Sequence, residues 1–235
     1  MVRETTLDDL TADDVARVHE RLLAPTFRAD ELLSPDELVA GWTGPDAGPS
    51  AVLLADDEPV AVMLGGWFAG GRVLLLEYLA VDAEARGLGL GARLLGDLLP
   101  RWAAAAPGGP GALVLAEVDD PRAWSADAAQ GDPVARLRFY ARYGARLLPF
   151  PYTQPALRPG ADRVPGMLLL RLDRTPAGAA TGADVAAFLA EHYAAAEGPD
   201  ALADPAVARM VARARELDVD AGLWPVERWE QVPAD

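Results

Sequence analysis

The stretch Leu79-Ala80-Val81-Asp82-Ala83-Glu84-Ala85-Arg86-Gly87-Leu88-Gly89-Leu90-Gly91-Ala92-Arg93-Leu94-Leu95 decides the fold. It joins an apolar run, RVLLLEYLAV at 72–81, to a helical pattern in which Leu90, Leu94, Leu95, Leu98 and Leu99 share one stripe. The first N–H groups of a helix have no intrahelical partner, and the helix dipole adds positive potential there, so a Gly-rich strand-to-helix turn suits a pyrophosphate. Gly87, Gly89 and Gly91 remove Cβ atoms that would obstruct close approach, and Arg86 can add charge-assisted hydrogen bonds. The spacing Gly-x-Gly-x-Gly departs from the dinucleotide pattern GxGxxG, and the Walker pattern lacks its Lys, so both common nucleotide-binding folds lose ground.

Working outward, residues 2–6 read as a strand, and Thr11 caps a helix over 12–23 whose apolar positions Val15, Val18, Leu22 and Leu23 recur at helical spacing. Ser34-Pro35 starts a second helix that runs to Trp42. Strands at 51–56 and 59–69 flank Asp56-Asp57-Glu58, a turn-length gap that makes them a hairpin. The run 72–81 is apolar on both faces and therefore central. Downstream come a helix from 89 to about 105 that Pro100 must kink or end, a strand over 112–118, a helix over 133–143, and strands at 145–150 and 165–172. Ala-rich helices over 182–196 and 204–217 follow, with Trp224 and Trp229 as anchors of the tail. The order predicts an α/β domain with a mixed sheet.

Composition removes much chemistry. The chain has 235 residues and a net charge of -15, all 21 of its cations are Arg, and it contains no Lys, Cys, Asn or Ile. Schiff-base catalysis, thiol nucleophiles, thiolate metal sites and disulfides are thereby excluded. The joint absence of Lys, Asn and Ile is a codon signature of a GC-rich genome. The acidic balance argues against nucleic-acid binding; two readings of it stay open, steering of a cationic substrate and a role in solubility. The N-terminal MVRETTLDDL lacks an apolar signal core and no apolar run approaches a membrane span, so a cytoplasmic protein with no membrane partner is expected.

Arg86-x-x-Gly89-x-Gly91, directly after the strand ending Leu79-Ala80-Val81-Asp82, resembles the acyl-CoA signature of the GNAT superfamily of CoA-dependent N-acyltransferases. Arg138-Phe139-Tyr140-Ala141-Arg142-Tyr143-Gly144, after the strand over 112–118, resembles the family's Phe-Tyr-x-x-x-Gly. The resemblance covers residues 1–175 and leaves 176–235 as a C-terminal helical extension. It implies a mixed, mostly antiparallel, splayed central sheet flanked by helices, with a pantetheine arm entering between the strands 72–81 and 112–118. It also implies acetyl-CoA or another acyl-CoA as co-substrate, with no metal. Carried over by position, the backbone at Leu79 and Val81 binds pantetheine, and Arg86, Gly87, Leu88, Gly89 and Gly91 bind the pyrophosphate.

Direct attack of an amine on the thioester needs a proton removed from nitrogen and a proton delivered to the departing thiolate. Tyr140, at the position of the family's Tyr, is the candidate donor; Tyr143 is its substitute, and Phe139 reads as packing. Glu77 interrupts an apolar strand, where a carboxylate must be paired or open onto a cavity, and it shares a strand face with Leu79 and Val81, so it is the candidate base. Glu117 raises the same question and is read as a partner of one of the Arg residues. His19 and His192 are isolated and read as surface or packing residues. The family's Asn before the Tyr helix is missing; Gln130 or Asp132 could stand in, although Asp132 is a natural helix cap. Thr26, Phe27, Trp42, Trp124 and the segment Tyr152–Ala156 are allotted to the acceptor pocket by family geometry.

The expected activity is therefore direct transfer of an acetyl or other acyl group to a primary amine of a small molecule. A carrier-protein phosphopantetheine thioester as donor, and a non-catalytic acyl-CoA-binding module, are the alternatives. A homodimer and a carrier protein are open as partners. Absence of Cys excludes an acyl-Cys intermediate, and absence of Lys means that any acylated Lys belongs to a partner.

Overall fold

The computed structural model describes residues 2–109, 111–127, 131–158, 160–172 and 180–233. The chain forms two compact units, Met1–Gly66 with Leu76–Trp102, and Trp67–Leu75 with Ala103–Asp235.

In the first unit, β1 (Val2–Thr5), α1 (Ala12–Val18), α2 (Pro35–Trp42), β2 (Ser50–Ala55), β3 (Glu58–Phe68) and β4 (Val73–Val81) follow in order, the last two strands also contributing residues to the second unit. The sheet order is β1-β2-β3-β4, with β1–β2 and β2–β3 antiparallel. Both helices begin at capping boxes, Thr11 with Asp14 and Ser34 with Glu37, which satisfy N-terminal amides that have no helical partner. The β2–β3 connection is a two-residue turn in which Asp56 (φ 51°) and Asp57 (φ 65°) are both left-handed, the backbone that a tight hairpin requires. Period-two alternation puts Val52, Leu54, Val62, Leu64, Tyr78 and Ala80 in one core with Val15, Val18, Leu22 and Leu38. The other positions of late β4, Glu77, Leu79 and Val81, are each half-buried.

Beyond β4, α3 (Leu90–Arg93) runs through a π-helical turn, Leu94–Leu98, into α4 (Leu99–Ala104). Pro100 was expected to kink or end this helix. It follows the π-helical turn after one residue, Leu99, and the helix continues through it, the wider turn tolerating the N–H that proline lacks. A second π-helical turn, His19–Leu23, extends α1 to the predicted end.

The second unit contains β5 (Leu113–Asp119), α5 (Pro133–Ala141), β6 (Arg146–Leu147), β7 (Tyr152–Gln154), β8 (Val164–Arg171), α6 (Gly182–Glu197), α7 (Pro205–Arg215) and β9 (Trp224–Pro225). Its strand order is β5-β8-β6-β9, with β7 also on β8, and all these pairs are antiparallel. The expected class, mixed α/β with a mostly antiparallel open sheet flanked by helices, is the one found.

The strand expected at 145–150 is only two residues long, because Pro149 and Pro151 have no N–H to donate, although Leu148 still donates to the Leu169 carbonyl. The strands β7 and β9 were not predicted. Each is too short to show a period and forms by pairing with an existing strand. Leu113, Leu115, Met167 and Leu169 share one core with Val185, Phe188 and Leu189 of α6 and Val207, Met210 and Ala214 of α7. Among the described residues no helix is long and apolar enough to cross a membrane.

Phe188 is fully buried in that core. Phe188→Ala should therefore lower the stability of the chain by about 3–5 kcal/mol, read by chemical denaturation. A loss below about 1 kcal/mol would mean that α6 contributes little to the core.

Candidate functional site

Asp82 ends β4. Its N–H donates to the Val60 carbonyl, its carboxylate caps the short turn Ala83–Ala85 by accepting from Glu84 N–H at 2.8 Å, and Arg21 Nε donates to it at 2.7 Å. The Arg21 hydrogen bond holds the Asp82 carboxyl below the usual carboxylate range. This ion pair pins the strand end to α1 and its extension. The chain then turns through Gly87 (φ +83°) and Gly89 (φ +79°), the latter as the N-cap of α3.

A Cβ at Gly87 or Gly89 would meet nothing within 4 Å, so within the chain itself glycine is required by the left-handed backbone and not by crowding. That sharpens the sequence reading, which rested on close approach. The backbone bonds of the turn run from Arg86 N–H to Ala83, Leu88 N–H to Ala85 and Arg93 N–H to Gly89. Among the described residues, the amides of Gly87, Gly89 and Gly91 have no partner. Arg86 and Leu88 are exposed, Leu88 by 73%. A pocket of about 350 Å³ beside the turn is lined by Arg21, Thr26, Val81, Asp82, Glu84 and Arg86 among others. Partnerless amides, an arginine and a helix start are groups of the kind that bind anions.

The Tyr140 side of the motif lies in the second unit. Asp132 caps α5 by accepting from Val134 N–H, and Arg136 on the next turn pairs with Asp119 at the end of β5 at 2.6 Å. The helix stops where Gly144 adopts φ +82°. Leu137 and Tyr140 face inward, and Tyr140 is 7% exposed. Burial pushes the Tyr140 phenol up to about 12, with a small opposing effect of Arg136, so it keeps its proton at neutral pH. Its hydroxyl makes no hydrogen bond to any described residue. Phe139 packs edge-on against Tyr140 and Tyr143 with Arg142 over its face, as expected of a packing residue.

Glu117 departs from expectation. Its partners are not arginines. Its Oε1 accepts from the Tyr152 hydroxyl and is 3.2 Å from His192 Nε2, and its Oε2 accepts from Gln154 Nε2 at 3.2 Å. Burial, and then the Glu117 charge, push the Tyr152 phenol well above its ordinary value. His192 is stacked on Phe188 and meets Phe68 edge-on, so of the two readings, surface or packing, it is a packing residue, and it also meets Glu117.

Two sequence signals pointed to this cluster. Glu117 continues the Leu113–Leu115 alternation onto the core face, and His192 continues Val185, Phe188 and Leu189 at helical spacing. Reading Glu117 by charge and His192 by isolation hid both.

The remaining assignments scatter. Thr26 lines the pocket beside the turn. Trp42, allotted to an acceptor pocket, is buried in the first core and donates to the Gly65 carbonyl, while Phe27 packs edge-on against Tyr78. Trp124 packs on the second core and donates to Gly166. Glu77 is half-buried and has a polar or charged neighbour. Gln130 lies outside the described residues.

No curated protein matches the sequence significantly. Among solved structures, a GNAT-family protein from Bacteroides thetaiotaomicron is 23% identical with a TM-score of 0.51, covering 72% of this chain and 85% of that one. The ribosomal-protein-S18-alanine N-acetyltransferase from Escherichia coli is 18% identical with a TM-score of 0.51, covering 76% of this chain and 97% of that one. Both share the fold. The family model described as acetyltransferase (GNAT) family matches residues 17–145. That match includes the glycine turn and the Tyr140 helix and spans more than half of the sequence, so the chain belongs to the acetyltransferase (GNAT) family.

Proposed function

We propose that the chain transfers an acetyl group, or another acyl group, directly from acyl-CoA to a primary amine of a small-molecule acceptor. The observation that carries this reading is the glycine turn: left-handed Gly87 and Gly89, partnerless amides and exposed Arg86 at the start of a helix, in a chain of the acetyltransferase family. In this reading the diphosphate of CoA takes the amides of Gly87, Gly89 and Gly91 and the Arg86 guanidinium, with Leu88 beside it in the same turn, and the backbone of Leu79 and Val81 receives the pantetheine amides. The net charge of -15 favours a cationic acceptor.

Tyr140 delivers a proton to the departing sulfur. A phenol held at about 12 is protonated throughout the neutral range and is a proton donor rather than a base there. Glu77 takes the first proton of the acceptor's ammonium group, turning it into a nucleophilic amine. No acyl-enzyme intermediate at Cys or Lys enters the scheme, because the chain contains neither residue. The assignment to a cytoplasmic enzyme without a metal belongs to the same proposal.

A panel of primary amines incubated with acetyl-CoA should release free CoA thiol with at least one member, against a protein background of no thiols. Absence of release with every amine and every acyl-CoA would overturn the reading. Tyr140→Phe should lower kcat by about 10²-fold or more with little change in KM for acetyl-CoA; wild-type kcat would remove the proton-donor role. Gly89→Ala strains a left-handed residue by about 1–2 kcal/mol, and Gly91→Val puts a branched side chain at the diphosphate. Each should weaken acetyl-CoA binding by about tenfold or more, equivalent to about 1.4 kcal/mol, in a calorimetric titration. Unchanged affinity in both variants would remove the diphosphate from the turn.

A further inference from the structure

Arg86 is the charged side chain assigned to the diphosphate, and it is exposed with no ion pair to any described residue. Two carboxylates nevertheless share its surroundings. Asp82 and Glu84 line the same pocket of about 350 Å³ as Arg86. A carboxylate beside an anion site opposes binding twice over: it repels the ligand, and it competes for the cation that the ligand needs. Glu84 is exposed and solvated by water, but the Asp82 side chain is only 11% exposed. The availability of Arg86 therefore depends on what satisfies Asp82.

Arg21 does so. Its Nε donates to Asp82 Oδ2 at 2.7 Å, while Asp82 Oδ1 accepts from Glu84 N–H at 2.8 Å, so each carboxylate oxygen has a donor. The Nη1 of Arg21 donates to Glu58 Oε2 at 2.9 Å, at the start of β3. The guanidinium is thus held from two directions on the π-helical turn His19–Leu23, and Arg17 lies 3.8 Å from the same Glu58. The Arg21 hydrogen bond is the largest of the effects that hold the Asp82 carboxyl below the usual carboxylate range, and the Arg86 charge adds the least. Arg86 therefore feels this carboxylate without being bound to it. Arg21, Glu58, Asp82, Glu84 and Arg86 all belong to the first compact unit.

We propose that Arg21 is a positioning residue of the donor site: by engaging Asp82 it leaves Arg86 available to the diphosphate of acyl-CoA. The inference rests on the reading of the glycine turn given above. Arg21 makes no ligand contact in this scheme, because its Nε and Nη1 are already given to Asp82 and Glu58. It acts through Asp82, whose charge it neutralises at the pocket wall and whose carboxylate it fixes as the cap of Ala83–Ala85, the turn that leads into Gly87. Without Arg21, Arg86 is the remaining cation that acts on Asp82, and it is drawn to the carboxylate in place of the ligand.

Calorimetric titration of the full chain with acetyl-CoA tests this role. Arg21→Gln should weaken binding by about tenfold. The affinity for S-acetylpantetheine, which has no diphosphate, should change by less than about twofold, a split that general damage to the fold would not produce. Arg21→Lys keeps a cation opposite Asp82 and should lose less affinity than Arg21→Gln. Adding Asp82→Asn to Arg21→Gln should restore most of the lost affinity, since the competing charge is gone; a second substitution that reverses the first reports direct coupling between the two side chains.

Wild-type affinity in Arg21→Gln would overturn the role and leave the glycine turn as the donor site. A double variant that binds no tighter than Arg21→Gln, or an equal loss for S-acetylpantetheine, would also overturn it and reduce the pair to a structural tie. No binding of acetyl-CoA by the wild-type chain would overturn the donor reading and this role together.

Discussion

Two left-handed glycines, Gly87 and Gly89, are the constraint on which the proposed donor site depends. The polypeptide leaves β4 extended and must enter a helix within a few residues, and it does so through φ angles of +83° at Gly87 and +79° at Gly89. Side-chain-bearing residues pay a steric penalty there, whatever the space around them. Among the described residues the conformation leaves the amides of Gly87, Gly89 and Gly91 without backbone partners at the start of the helix, where the dipole reinforces them. The Arg21–Asp82 ion pair fixes the strand end from which the turn departs, and Leu90, Leu94 and Leu95 bury the helix that follows. The proposed anion site therefore rests on backbone geometry, with Arg86 as its charged side chain.

A different kind of constraint organises the second unit. Glu117 lies on the core-facing side of β5, and a carboxylate there requires hydrogen-bond donors from the elements packed around it. The segment between two prolines, Tyr152–Gln154, supplies two of them by forming β7 on β8, and α6 supplies the third. The same helix buries Phe188 and Leu189 against β5 and β8 residues, so residues beyond the family match are part of this core. Arg122 adds to this by binding Asp120 with its Nε and the Glu230 and Val232 carbonyls with Nη1, which ties the tail to the end of β5.

Much of this was legible before any coordinates. The apolar run 72–81 followed by the Arg-Gly-x-Gly-x-Gly turn identified the strand-to-helix junction, and the Ser34 and Thr11 caps fixed two helix starts to the residue. What escaped was of two kinds. The strands β7 and β9, three and two residues long, have no periodicity and exist through long-range pairing, which a local pattern cannot encode. The Glu117–His192 pair joins residues 75 positions apart, and each alone has an ordinary explanation. The alternation of Leu113, Leu115 and Glu117 and the spacing of Val185, Phe188 and His192 did record that both side chains face inward. Trp42 illustrates the reverse error: an aromatic allotted to a pocket proves to be a core residue whose indole N–H is satisfied by Gly65.

The central claim is that the glycine turn binds the diphosphate of an acyl-CoA donor. Calorimetric titration of the full chain with acetyl-CoA and, separately, with S-acetylpantetheine, which has the same thioester arm and no diphosphate, tests it most directly. The account predicts saturable binding of acetyl-CoA that weakens as salt is raised, and binding of S-acetylpantetheine weaker by at least about 10²-fold, or 2.8 kcal/mol. Equal affinity for the two compounds, or no binding of acetyl-CoA, would contradict it.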